Sequence, residues 1–200
     1  MMFTLVCTGG IGSGKSYCAE IFQNLGIPVY VADSKTKELY LNDIVLQNRL
    51  NNLLGINIVV DGVLQKETIA AAIFGDREML DRVNALVHPA VLDDFCKWRD
   101  AKEEDGYNMV MLESAIYFEA PIFKDTADKI IVVLSPLKVR IERIIKRDSI
   151  TEEMVISRIE KQMTDQERLA KADYTIYADG ERAVLPQVMN ILKDIKSKRL

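Results

Sequence analysis

Two hundred residues suffice for one domain, or a core with inserted pieces, that buries a proper apolar centre. Hydrophobic residues at 48% and charged residues at 28% exclude the compositions of disordered chains. The net charge of −4 leaves no basic footprint and no run nears the ~18 apolar residues of a membrane span, so neither a nucleic-acid nor a membrane partner is expected.

In chain order, "FTLVC" (3–7) reads as a buried strand, followed by a helix from about Lys15 that Gly26 stops. "IPVYVAD" is a second short strand closing at Asp33. Strand, helix, strand in this rhythm argues for a parallel sheet with crossover helices. From 34 to 105 the strand signal weakens. "SKTKELYLNDIVLQNRLNNLLG" reads as helix, and "IVVDGVLQ" as a small hairpin around Asp61-Gly62. "KETIAAAIF", "REMLDRVNALV" and "PAVLDDFCKWRDAKEED" read as three further helices, the last with Pro89 in its first turn. The sheet resumes with "YNMVMLES" and "KIIVVLS". "PLKVRIERIIKR" and "TEEMVISRIEKQMTDQERLAKA" read as two charged helices, the second capped by Ser149 with Glu152 or by Thr151. "DYTIYAD" is a last strand before a terminal helix over 182–198. Cys7, Cys18 and Cys96 lack metal-ligand spacing and read as free thiols. With a first apolar run too short for a signal peptide, they favour the cytoplasm.

The segment "GGIGSGKS" fits G-x-x-x-x-G-K-[ST] from Gly9 to Ser16, with strand before and helix after. Glycines let successive N–H groups turn toward one point, and the helix N-terminus adds partial positive charge. Gly10, Ile11, Gly12, Ser13, Gly14, Lys15, Ser16 and Tyr17 are therefore the expected nucleotide-binding residues. Lys15 is expected to reach the β and γ phosphates, and the Ser16 hydroxyl to ligate Mg²⁺. The expected fold is α/β, a P-loop NTPase-type three-layer arrangement with a mainly parallel five-stranded sheet, a helical insertion domain and a helical lid. In such a sheet ligands bind outside the carboxyl ends of strands. Asp33 there is placed to take a proton from an attacking hydroxyl or to hold Mg²⁺ through water, and also to cap the following helix. Glu113 is a second rim carboxylate, suited to Mg²⁺ through water or to a structural hydrogen bond. Arg140, Arg143 and Arg147 recur at spacings of three and four, with Arg158 and Gln162 one turn apart beyond them. A solvated basic face would look the same; the position after a sheet strand favours Arg143 and Arg147 as phosphate ligands. His88, the sole histidine, precedes Pro89.

Along nearly its whole length the chain resembles the dephospho-coenzyme A kinases. The resemblance rests on "TGGIGSGKS", "LGIPVYVAD", "LVHPAV", "YFEAPIF", "RIIKRDSITEEMVISRIEKQM" and "KADYTIYADG", in that order. It implies transfer of phosphate from ATP to the ribose 3′-hydroxyl of dephospho-CoA, the final step of CoA synthesis. It also implies a nucleotide core over 1–33, 106–139 and 172–200, a helical acceptor domain over 34–105, and a lid over 140–171. Asp33 matches the family's proposed base, Lys15 and Ser16 its phosphate and Mg²⁺ groups, and Arg143 and Arg147 its lid arginines. His88 with Pro89 matches its acceptor-side motif, and Arg158 and Gln162 the lid pattern. Three departures stand out: Val31-Ala32-Asp33 keeps only the second carboxylate of Asp-Ala-Asp, residues 115–119 lack the usual proline, and Ala178 replaces a common asparagine. The loop and sheet alone also suit a nucleoside or nucleotide kinase. A GTP switch would carry Asn-Lys-x-Asp and Asp-x-x-Gly motifs, which are missing here.

Overall fold

A computed structural model describes residues 2–199. The chain forms two compact units. One runs to Tyr30 and resumes at Lys102; the other is Val31–Ala101. Residues 140–171, the expected lid, fall within the first unit.

The first unit is built on a five-stranded sheet of β1 (Phe3–Thr8), β2 (Val29–Val31), β5 (Met109–Glu113), β6 (Lys129–Leu134) and β7 (Tyr174–Tyr177), in the order β2-β5-β1-β6-β7. β1 runs parallel to both β5 and β6, and β6 parallel to β7. Alternate residues Leu5, Cys7, Met109, Met111, Ile131 and Val133 form one face, packed on α1 (Lys15–Asn24) and α9 (Val184–Arg199) through Phe22, Val188 and Ile195. Val6, Val110, Leu112 and Val132 between them are also fully buried. A sheet covered on both faces explains why these strands read as continuous apolar runs. Because β1 is central, the loop leaving its carboxyl end lies at the middle of that rim. Three further helices follow β6: α6 (Leu137–Asp148), α7 (Glu152–Glu160) and α8 (Asp165–Leu169).

The second unit holds α2 (Ala32–Asn42), α3 (Ile44–Leu54), a hairpin of β3 (Val59–Val60) and β4 (Val63–Leu64), α4 (Lys66–Ile73) and most of α5 (Arg77–Glu104). Asp61 (φ 51°) and Gly62 (φ 74°) take the left-handed conformations that a two-residue hairpin turn demands.

Four element readings need correction. The second strand ends at Val31, and Asp33 lies in the first turn of α2, where an acidic side chain complements the helix dipole. It is not the cap: the N-cap position is Val31, without a side-chain hydrogen bond. The helix expected over 34–55 is split at Asp43, whose carboxylate accepts from the Leu46 amide at 2.9 Å and caps α3. Conversely, the two helices expected around His88 are one, since α5 runs through Pro89. Val83, Val87, Val91 and Phe95 are all buried at spacings of four, and that shared stripe outweighs the one backbone hydrogen bond a proline removes. Last, the helix expected over 151–172 is two. Thr151 caps α7, and a capping box of Thr164 and Glu167 starts α8.

Candidate active site

The glycine loop bends between β1 and α1 through left-handed backbone at Gly12 (φ 76°) and at Gly14 (φ 98°), which occupies the N-cap of α1. A β-carbon on Gly14 would stand 3.1 Å from that of Ala178, so the close approach of the two loops also disfavours a side chain there. Beyond the loop, Lys15 is buried and Ser16 and Tyr17 are exposed at the first turn of α1. Lys15 Nζ donates to the Gly10 carbonyl at 3.3 Å.

Helix α6 and the segment just after α7 grip this loop through side chains. Arg140 Nε donates to the Ile11 carbonyl at 2.9 Å, and the Gln162 side-chain oxygen accepts from the Ile11 amide at 2.8 Å. Both backbone groups of Ile11 are therefore held from outside. The peptide is trans, so the Gly12 N–H is directed away from Arg140. Arg143 donates to the Gly12 carbonyl (3.3 Å), to Ser135 Oγ (2.8 Å) and to the Ala178 carbonyl (2.8 Å). Ser135 Oγ in turn lies within bonding distance of the Ser13 and Ala178 carbonyls. One arginine and one serine thus tie the glycine loop to the ends of β6 and β7.

A cleft of about 250 Å³ opens at this point, lined by Gly12, Gly14, Lys15 and Ser16 on the loop side and by Arg143 and Arg147 of α6. A second of about 220 Å³ shares Tyr17 and Arg143 with it and is otherwise lined by Ala178, Gly180, Arg182, Ala183 and Val184. Arg182 stacks over the Tyr177 ring at 4.1 Å and pairs with Asp179. Arg147 and Arg158 converge on Asp148, at 2.7 and 3.1 Å, and the Arg147 hydrogen bond holds that carboxyl below its ordinary pKa. Beneath the loop, burial raises the Cys7 thiol and pushes Cys18 up to about 12, against the opposing pull of Arg143 and Lys15. Both sulfurs are therefore uncharged and poor nucleophiles. The cations and amides around the cleft suit a polyanion, and the exposed Ser16 hydroxyl is a hard oxygen donor of the kind Mg²⁺ takes.

The expected site residues are thus distributed as follows. Gly12, Gly14, Lys15, Ser16, Tyr17, Arg143 and Arg147 come together around the first cleft, while Gly10, Ile11 and Ser13 shape the loop behind it. Gln162 lies past the end of α7, and its side-chain oxygen is engaged by the loop. Glu113 ends β5 and is 4% exposed, in register with Cys7. In the second unit, Asp33 is exposed and His88 is half-buried mid-helix, with Pro89 beside it on the exposed side. Burial pulls the His88 imidazole below its ordinary value, toward the neutral form. Sequence reasoning missed Ser135, and it left Arg140 without a role. The spacing rule set Arg140 beside Arg143 and Arg147 on a polar face, whereas it is 4% exposed.

The dephospho-CoA kinase family model matches residues 3–183. A dephospho-CoA kinase of Porphyromonas gingivalis is 39% identical over 200 residues, covering 99% of this chain and 96% of that one. A solved structure from Thermus thermophilus superposes with a TM-score of 0.80 at 26% identity, over 98% of this chain and 97% of that one. A solved dephospho-CoA kinase of Campylobacter jejuni, 21% identical over the full length of both chains, shares the fold with a TM-score of 0.71. A phosphate-shaped loop on a parallel sheet, matched over nearly its whole length by these proteins, places the chain in the dephospho-CoA kinase family, the kinases of the last step of coenzyme A biosynthesis.

Proposed function

We propose that the chain transfers the γ-phosphoryl group of ATP to the ribose 3′-hydroxyl of dephospho-CoA, giving CoA and ADP. The observation that carries this is the held loop: with the Ile11 carbonyl drawn out by Arg140, the Gly12 amide is preset for an anion before any ligand arrives. Lys15 and the N-terminus of α1 supply positive charge for the triphosphate. Arg143 and Arg147 neutralise charge on the group in flight. Arg143 exchanges a loop carbonyl for a phosphate oxygen, and Arg147 moves off Asp148. Ser16 would hold Mg²⁺, which when bound offsets charge on the β and γ oxygens; Asp33 and Glu113 are candidates to hold it through water. Asp33, exposed in the first turn of α2, takes the proton of the attacking hydroxyl. His88, Pro89, Arg158 and Gln162 are assigned to substrate binding by the family motifs alone. The base of ATP is assigned to the second cleft, between Tyr17 and the Arg182 side.

The purified protein, given ATP and Mg²⁺, is expected to phosphorylate dephospho-CoA and to leave nucleosides and nucleoside monophosphates untouched. Equal use of a nucleoside would overturn the assignment of the acceptor. Asp33→Asn is expected to cut turnover by ~10²-fold or more while ATP affinity stays within about twofold, the range of general-base effects. Unchanged turnover would remove Asp33 from the mechanism.

A further inference from the structure

Outside the transfer site, four charged side chains form a continuous chain that ends on the glycine loop. Arg140, already bonded to the Ile11 carbonyl, donates through Nη1 to both oxygens of Asp165 at 3.2 and 3.3 Å. Arg168 reaches Asp165 from the other side at 3.5 Å, and its second guanidinium nitrogen meets Glu119 at 3.1 Å. The Glu119 carboxylate also accepts from the Met163 amide at 3.3 Å, and Arg168 donates to the Met163 carbonyl. The two arginines are 4% and 1% exposed. Each keeps one buried guanidinium nitrogen without a hydrogen-bond partner, Nη2 of Arg140 and Nε of Arg168.

Two buried cations, two carboxylates and two unmet donors form an arrangement that stability alone does not favour. Apolar side chains of similar volume often serve as well or better, because taking ions out of water is costly. What apolar side chains lack is a directional pull on a loop carbonyl. The chain of bonds supplies one: Glu119 orients Arg168, Arg168 and Arg140 share Asp165, and Arg140 fixes the Ile11–Gly12 peptide.

We propose that Arg140, Asp165, Arg168 and Glu119 act as positioning residues for nucleotide binding, setting the loop amides for phosphate and tying them to segment 115–119. None of the four is assigned a contact with nucleotide; Asp165, Arg168 and Glu119 act through Arg140. The inference rests on the reading of the loop as the ATP phosphate site.

The test uses the full chain and titration calorimetry with ATP in the absence of acceptor, alongside steady-state kinetics and thermal melting. Asp165→Asn leaves two arginines facing each other, and it is expected to raise the ATP Kd about tenfold, within the range for coupling through contiguous networks. Glu119→Gln, at the half-exposed far end, is expected to raise it about threefold. In both variants kcat at saturating ATP and KM for dephospho-CoA are expected to stay within about twofold, and a melt above the assay temperature excludes unfolding as the cause. ATP affinity equal to that of the unaltered protein in Glu119→Gln, or in a folded Asp165→Asn, overturns the proposal. So does a uniform fall in kcat with unchanged Kd. Failure of the unaltered protein to bind ATP would instead overturn the phosphate-site reading itself.

Discussion

Single atoms decide whether the loop works. Gly14 combines φ 98° with a neighbour 3.1 Å from where a β-carbon would sit. Gly14→Ala is expected to cost about 1–2 kcal/mol of backbone strain and to weaken ATP binding more than it weakens the fold. A calorimetric titration beside a urea melt separates the two. His88 offers a pH signature. Burial depresses its folded pKa below the ordinary value of 6.5, so the unfolded chain binds the proton more tightly. Well above pH 6.5 both states are neutral and the group contributes nothing. As pH falls from there toward the folded pKa, the protein loses stability. His88→Gln is expected to flatten that part of a Tm-against-pH curve, and an unchanged slope would assign the acid sensitivity elsewhere.

At the level of helices and strands, the disagreements between sequence pattern and structure share a cause. Apolar periodicity marks where helix is favoured, but a cap or a packed stripe decides where it stops. Asp43 shows the first case, since its carboxylate completes the Leu46 amide and begins a new helix inside an unbroken pattern. Asp43→Ala is expected to cost about 1 kcal/mol in a denaturant melt, the usual loss for a cap. Pro89 shows the second, where α5 continues because its buried stripe spans the proline. The break between α7 and α8 was also legible in principle, through Thr164 and Glu167 at capping-box spacing. A run of charged residues concealed it.

For the molecule as a whole, the parallel sheet anchors the first unit. Ile131 is completely buried in β6 between neighbours on both sides. Ile131→Ala is expected to lower unfolding free energy by about 2–5 kcal/mol in urea, the range for cavities in tight cores, with the nucleotide affinity of the surviving fold preserved. Helices α6 to α8 belong to this unit, and Arg140, Arg143 and Gln162 join them to the loop.

The phosphate loop, the five strands and the family were written in local order: glycines at fixed spacing, apolar runs of strand length, motifs in sequence. Such signals survive without a structure because each depends on residues a few positions apart. The fate of the arginines did not follow from spacing. Whether Arg140 meets water or a loop carbonyl, and whether Gln162 holds the Ile11 amide, depends on partners some 130 to 150 positions away. Burial and long-range hydrogen bonds are properties of packing, and helical periodicity sets the face of a side chain without saying what that face meets.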